Sequence, residues 1–205
     1  MSLESIVGAA TEALRLGELV VYPTETFYAI GADALSPAAV DLMLHVKNRE
    51  SGKPVGLIAA DAEMAFAIAK EIPPLAKILA ARFWPGPLTL VLRAQAGLHS
   101  GLVGPDGQVG VRVSSHPVAW RLSRSLGRPV TASSANRAGQ PPARSVTEAR
   151  AMLKDNIKLY VGDVTSTARL PSTVVGFEDG AVRVIRAGAI AADKIERVIR
   201  SKVRR

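Results

Sequence analysis

The stretch Lys47-Asn48-Arg49-Glu50-Ser51-Gly52-Lys53 gathers three cations. It lies between a predicted helix and a predicted apolar strand, and Ser51 and Gly52 let the chain turn there. A loop pinned between two rigid elements can aim several cations at one polyanion, and phosphates commonly need such a clamp. A solvated basic loop would have the same composition. The stretch is not a Walker A loop, because no glycine stands five residues before Gly52 and Pro54 takes the place of the Ser or Thr that would meet magnesium. A nucleotide bound here is bound another way.

Nucleophilic chemistry has little to work with. The chain has no H-E-x-x-H, no paired-histidine metal spacing and no G-x-S-x-G. His45, His99 and His116 are far apart and each reads as structural. There is no cysteine, which rules out disulfides, thiolate nucleophiles and zinc–cysteine sites and fits a reducing, cytoplasmic setting. What remains are polar loops at predicted strand ends: Pro23-Thr24-Glu25-Thr26, the Lys47–Lys53 loop, Ser133-Ser134-Ala135-Asn136 and Pro171-Ser172-Thr173. Strand ends are where ligands bind in open α/β sheets. These pieces suit a reaction catalysed by holding two substrates and neutralising phosphate charge.

The elements that must position these loops follow from periodicity. Leu3, Ile6, Val7, Ala10 and Leu14 keep helical spacing, and Gly17 fits the place just past the helix end. Leu19–Tyr22 reads as a buried strand stopped by Pro23. Ser36-Pro37 opens a helix that ends near Lys47. Val55–Ala60 is a strand, Asp61 caps a helix, and another helix follows Pro73-Pro74. Trp84-Pro85-Gly86-Pro87 is a turn feeding a strand over 88–92, and 95–108 is a Gly-rich loop of a length often tied to function. Strands follow over 109–113, 129–133 and 157–161, with a helix from His116-Pro117 to Gly127 and a capping box at Ser145-Val146-Thr147-Glu148. Residues 173–177 and 182–186 alternate around Glu178-Asp179-Gly180 as a hairpin. The last helix carries Ile195, Val198, Ile199 and Val203 on one face and basic residues on the other.

The alternation of strands and helices predicts an α/β protein: a single domain over 1–205 whose twisted mixed parallel/antiparallel sheet is flanked by helices, with a core over about 3–190 and a basic C-terminal helix over 191–205. At 48% hydrophobic and 21% charged the chain can bury a full core, built mostly from Val, Ile, Leu and Ala because aromatics are 4%. The start lacks the pattern of a signal peptide, and no apolar run reaches the roughly 18 residues of a membrane span. Net charge is +8, which favours anionic partners such as nucleotides or RNA, though solubility or an arginine-rich genome would also account for it.

Eight blocks, in order, resemble the YrdC/Sua5 family: Tyr22-Pro23-Thr24-Glu25-Thr26-Phe27-Tyr28 with Gly31; Lys47-x-Arg49; Lys53-Pro54; Trp84-Pro85-Gly86-Pro87-Leu88-Thr89; Gly110-Val111-Arg112-Val113 with His116-Pro117; Ser134-Ala135-Asn136 with Gly139; Ser172-Thr173-Val174-Val175; and Arg186-x-Gly188. The match covers nearly the whole chain and looks like the short YrdC form without the additional C-terminal Sua5 domain. The resemblance implies a YrdC-like fold and a nucleotidyltransferase, L-threonylcarbamoyladenylate synthase. That activity joins L-threonine, bicarbonate or CO2, and ATP into threonylcarbamoyl-AMP and pyrophosphate. Its product supplies N6-threonylcarbamoyladenosine at tRNA position 37 through a partner transferase machinery. Mg2+ would accompany ATP, and tRNA or double-stranded RNA would be a further partner.

The resemblance also assigns roles. Arg49 and Lys53, joined by Lys47, look like ATP triphosphate ligands, with Ser134, Asn136, Arg186, Gln108 and Pro142 on the nucleotide side. Thr26, Arg112, the backbone at Ala132, and Ser172 look like the threonine side, with Arg112 on the carboxylate. Without the family match, Thr26 would read equally as a hydroxyl satisfying its own turn, and Arg112 as a surface arginine on a half-exposed strand. Three departures stand out: Ala29 where the family has glycine after the tyrosine, Glu50 where proline often follows the arginine, and Ile58 where some members carry a threonine-site histidine. The alternatives are a paralogue of the YciO branch with another substrate or none, and an RNA-binding module.

Overall fold

The computed structural model describes residues 2–48, 54–137, 139–162, 166 and 168–204, with the main chain but not the side chain of Asp155. Helix α1 (Leu3–Arg15) starts where Ser2 Oγ accepts the Ser5 N–H at 3.2 Å, and Gly17 follows its end with φ +79°. Strand β1 (Val20–Tyr22) is fully buried and pairs antiparallel with β2 (Ala29–Gly31). Helix α2 (Pro37–Lys47) is capped by Ser36 and stopped by Asn48, which takes a left-handed φ of 46°. Strand β3 (Leu57–Ala59) leads into α3 (Ala62–Ala67), capped by Asp61 Oδ1 on the Met64 N–H at 2.8 Å. Helix α4 (Pro74–Phe83) runs to the Trp84–Pro85 bond, which is cis, and on to β4 (Leu88–Arg93). The segment expected as loop over 95–108 is loop to 107 apart from a 3-10 turn over Ser100–Leu102, and Gln108 already pairs with Arg93 as the first residue of the next strand.

Strand β5 (Gln108–Val113) is followed by α5 (Pro117–Leu126), β6 (Val130–Thr131), β7 (Ser133–Ser134), α6 (Val146–Leu153), β8 (Leu159–Tyr160), β9 (Thr173–Glu178), β10 (Ala181–Arg186) and α7 (Ala192–Ile199). The strands make two mixed sheets, one ordered β7-β2-β1-β8 and the other β10-β9-β4-β5-β3-β6. A single sheet was the expectation. The chain passes from one sheet to the other after Ala132, whose N–H still bonds the Gly56 carbonyl at 2.7 Å in register with the β6–β3 pairing before Ser133 joins β2. The strand expected over 129–133 is therefore split between β6 in one sheet and β7 in the other.

One apolar core contains Ile30, Met43, Leu57, Leu79, Leu90 and Val111. A second, involving α1 and α5, contains Val7, Leu14, Tyr22, Ile58 and Leu122. Each fully buried side chain of this size contributes about 1.5–3 kcal/mol, so the sheets are rigid supports for their rims.

Three local expectations are corrected. The α6 box is displaced: Ser145 Oγ accepts the Glu148 N–H at 3.1 Å, but Glu148 Oε2 accepts from Arg144 N at 2.7 Å instead of the cap residue itself. The last helix stops at Ile199, where Arg200 turns left-handed, and the tail returns as a strand-like bridge from Arg204 to Arg183 because the Arg204 N–H finds the Val182 carbonyl. Ala29 needs no special backbone, since it sits in β2 with an ordinary φ. Among the described residues no helix is long and apolar enough to cross a membrane.

Candidate functional site

A cavity of about 740 Å3 lies over one face of the six-stranded sheet, along Thr89 and Val91 of β4 and Gln108, Gly110 and Arg112 of β5, with Ala29 of β2 and Ser133 and Ser134 of β7 reaching it from the other sheet. Its wall includes eight of the twelve residues expected to bind ligands: Thr26, Gln108, Arg112, Ala132, Ser134, Pro142, Ser172 and Arg186. Lys47 and Asn136 are outside the wall but bonded to it. Arg49 and Lys53 lie outside the described residues, as does Glu50.

Lys47 ends α2 and is 4% exposed. Its ammonium donates to Ser134 Oγ at 3.2 Å, to the Ser134 carbonyl and to Asn136 Oδ1 at 2.5 Å. A buried ammonium is tolerated only when hydrogen-bonded. Ser134 Oγ donates to Asn136 Oδ1 at 2.6 Å, and Asn136 Nδ2 donates to the Gln140 carbonyl. Lys47 and Asn136 therefore brace the loop that presents Ser134.

Arg112 is on β5 with its flanking valines in the first core, and it is itself buried, not at the surface. Its Nε donates to Glu25 Oε1 at 2.9 Å. The second carboxylate oxygen of Glu25 accepts from Ser114 Oγ, and that hydroxyl accepts the His116 N–H at 3.2 Å. Arg186, from β10, donates through both Nε and NH2 to the Ser172 carbonyl, and NH2 also reaches Ser172 Oγ at 3.0 Å. Burial lowers the proton affinity of Arg186, and the positive field of Arg112 lowers it further. Two guanidiniums thus converge on one cavity, an arrangement that favours anionic groups there.

Hydroxyls of Thr24, Thr26, Thr89, Ser133 and Ser172 also line the cavity, beside apolar groups such as Phe27, Val91 and Ile185. Thr24 Oγ1 donates to the Phe27 carbonyl at 2.7 Å and stands 3.0 Å from Thr26 Oγ1, so the Pro23–Thr26 turn satisfies itself while Thr26 reaches the wall. Thr89 Oγ1 and Ser172 Oγ are 2.9 Å apart. Ser133 Oγ is buried with no hydrogen-bond partner among the described residues, and Ser133 belongs to the wall. Ile58 is fully buried in the second core and not in the wall.

Two glycines keep the space shaped. A Cβ on Gly110 would come 3.3 Å from Thr89 Cγ2. One on Gly188 would meet the Pro171 carbonyl oxygen and come 2.5 Å from the Ser172 carbonyl carbon and the Thr173 nitrogen. Gly188 is thus the residue that lets the chain after β10 press against the Ser172 backbone.

His116 caps α5, its Nδ1 accepting the Val118 N–H at 3.2 Å. Burial lowers its pKa below the usual histidine value, and the Glu25 carboxylate opposes that shift. Burial pushes the Tyr22 hydroxyl far up, so it stays a donor, to the Thr131 carbonyl at 2.7 Å.

Sequence reasoning missed Thr24, Phe27, Thr89, Ser133, Val174 and Ile185 in the wall. Thr24 and Thr89 lay inside quoted motif blocks, so the signal was present. Val174 also lay inside a quoted block, while Ile185 carried no signal, since it read as an ordinary strand residue.

A family model described as Sua5–YciO–YrdC, telomere recombination, matches residues 12–188. A threonylcarbamoyl-AMP synthase of Alkalilimnicola ehrlichii is 38% identical over 173 residues, covering 82% of this chain and 90% of its own length. The crystal structure of Pyrococcus abyssi Sua5 complexed with L-threonine matches with a TM-score of 0.92 at 33% identity, over 99% of this chain and 60% of that one. This chain therefore spans about three fifths of that structure. The crystal structure of E. coli YciO matches with a TM-score of 0.82 at 22% identity, over 95% of this chain and 94% of that one, a likeness of fold.

Proposed function

The chain belongs to the Sua5–YciO–YrdC family, and we propose that it is a threonylcarbamoyl-AMP synthase. Its substrates are L-threonine, CO2 or bicarbonate, and ATP accompanied by Mg2+. The threonine amine attacks the carbon of CO2, forming an N–C bond and releasing one proton. A carbamate oxygen then attacks the α-phosphorus of ATP, and the bond to the bridging oxygen breaks to release pyrophosphate. No protein nucleophile takes part. The work is orientation and charge neutralisation.

Arg112 binds the amino-acid carboxylate, with Thr26, Ser172 and the Ala132 backbone completing the threonine side. Arg186, Ser134, Gln108 and Pro142 serve the nucleotide, with Asn136 and Lys47 holding Ser134 in place and Arg49 and Lys53 adding charge for the phosphates. The one observation that carries this reading is that all four threonine-side residues and four of the nucleotide-side residues, Gln108, Ser134, Pro142 and Arg186, line one cavity, whose volume is ample for two small ligands. The product is a reactive mixed anhydride, consumed in the cytoplasm by the transferase that modifies adenosine 37 of tRNA. A net charge of +8 suits contact with that RNA.

The test is to supply ATP, bicarbonate and each amino acid in turn, and to follow pyrophosphate and the AMP adduct. Threonine alone should support both. Adduct formation with a different amino acid would move the chain to another substrate, as a paralogue of the YciO kind. No pyrophosphate with any amino acid would end the reading.

A further inference from the structure

Arg112 is buried and has one substrate-facing job in the reading above, yet its guanidinium is also held by a group that the reading does not use. Glu25 takes the Nε edge at 2.9 Å, and the two side chains are only 8% and 12% exposed. Glu25 lies outside the cavity wall, and Arg112 lies in it. A guanidinium is planar, with five donors in a fixed fork. Holding it by Nε leaves the edge formed by its two terminal amino groups, which make no hydrogen bond among the described residues. That edge presents two parallel N–H groups that can take a second carboxylate in bidentate fashion.

Glu25 is itself fixed. Its other oxygen accepts from Ser114 Oγ, Ser114 is fully buried, and its oxygen accepts the His116 N–H at the start of α5. The carboxylate therefore sits at the positive end of a ten-residue helix, where a negative charge is stabilised. The line of bonds runs from the α5 N-terminus through Ser114 and Glu25 to Arg112. It turns a flexible arginine into a rigid one, and it balances a charge that would otherwise face Arg186 alone.

Resting on the synthase reading, we propose that Glu25 is a positioning residue for the amino-acid substrate: with Ser114 it locks Arg112 so that its terminal amino groups are pre-set for the threonine carboxylate. The role is indirect, because Glu25 touches Arg112 and not the reacting atoms. A purely structural ion pair would use the same contact but would not make substrate selection depend on it.

The experiment compares wild type, Glu25→Ala, Glu25→Gln and Ser114→Ala in steady-state pyrophosphate release, with L-threoninamide, which lacks the carboxylate, as competitor. Glu25→Ala should raise the threonine KM at least about tenfold, with kcat at saturating threonine and the ATP KM within about twofold of wild type. Glu25→Gln keeps an oxygen for Arg112 Nε and should recover most of the threonine affinity. The preference for threonine over threoninamide should shrink in Glu25→Ala and return in Glu25→Gln. If Glu25→Ala does not fold, Ser114→Ala carries the test, with a smaller rise in threonine KM alone. A threonine KM within twofold of wild type in a folded Glu25→Ala, an equal rise in both KM values, or Glu25→Gln as impaired as Glu25→Ala overturns the proposal. Wild type without threonine-dependent pyrophosphate release would instead overturn the synthase reading, so the two failures are distinct.

Discussion

Gly188 is outside the cavity wall, yet Gly188→Ala should damage the threonine side of the site through the backbone of Ser172. The added Cβ would meet the Pro171 carbonyl oxygen and come 2.5 Å from the Ser172 carbonyl carbon and the Thr173 nitrogen, all backbone atoms that cannot rotate away. Ordinary contact begins at 3.4 Å, so one of the two strands must move by roughly 1 Å. Neither is free to do so. The Ala189 N–H bonds the Pro171 carbonyl at 2.9 Å, and Thr173 Oγ1 bonds both the carbonyl and the N–H of Ile190. Thr173 also begins the pairing of β9 with β4. The strain therefore passes to Ser172, whose carbonyl holds Arg186 and whose hydroxyl meets Thr89. Overpacking of this kind costs about 2 kcal/mol, which for a chain of this length lowers Tm by about 4–8 °C. The threonine KM should rise at least about tenfold, or about 1.4 kcal/mol of binding. Thermal unfolding and pyrophosphate kinetics on the same preparation check both. An unchanged Tm and an unchanged threonine KM would show that Ser172 is not held as tightly as the backbone contacts require.

The other predictions concern single side chains. Ser133→Ala removes a buried hydroxyl without a partner among the described residues and should leave stability unchanged or raise it slightly, by up to about 1 kcal/mol; a clear loss in a denaturant titration would reveal a partner. Asn136→Ala leaves the buried Lys47 ammonium short of one acceptor and frees the Gln140 carbonyl, so it should cost about 1–3 kcal/mol and weaken ATP more than threonine, read by Tm and the two KM values. His116 has a lowered folded-state pKa, so unfolding takes up a proton: its contribution is present above the ordinary histidine value and is lost as pH falls below it. His116→Asn, which keeps a cap acceptor without titrating, should flatten the stability change between about pH 7 and pH 5.5 relative to wild type, and an unaltered slope would count against the cap.

Several parts of this molecule could be read from local chemistry. Ser36-Pro37 marks the start of α2, Asp61 caps α3, and Asp179-Gly180 supplies the two positive φ values of the hairpin turn, 49° and 71°. Strand β2 was not legible, because three buried residues without alternation carry no period. The break after Ala132 depends on Ser133 and Ser134 pairing with β2 of the other sheet, a long-range contact that no local pattern contains. Eight expected ligand residues meet in one wall because Gln108 and Arg112 share one face of β5 and the segments that carry Thr26, Pro142 and Ser172 reach the same cavity. The grip of Glu25 on Arg112 stayed hidden for a different reason. The two are 87 residues apart, and Glu25 reads locally as one more polar residue of a turn. Lys47 shows the converse: a cation expected on phosphate is engaged by Ser134 and Asn136, because a buried ammonium takes the nearest carbonyls.

The central claim is that one cavity holds an amino acid by Arg112 beside a nucleotide. Threonine-dependent pyrophosphate release by wild type and Arg112→Ala, at saturating ATP, tests it most directly. Removing one partner of a desolvated charge pair costs about 2–4 kcal/mol, so the variant should need roughly 30- to 900-fold more threonine while its ATP requirement stays near that of wild type. Pyrophosphate release that ignores threonine, or an Arg112→Ala enzyme with the wild-type threonine KM, would contradict the account.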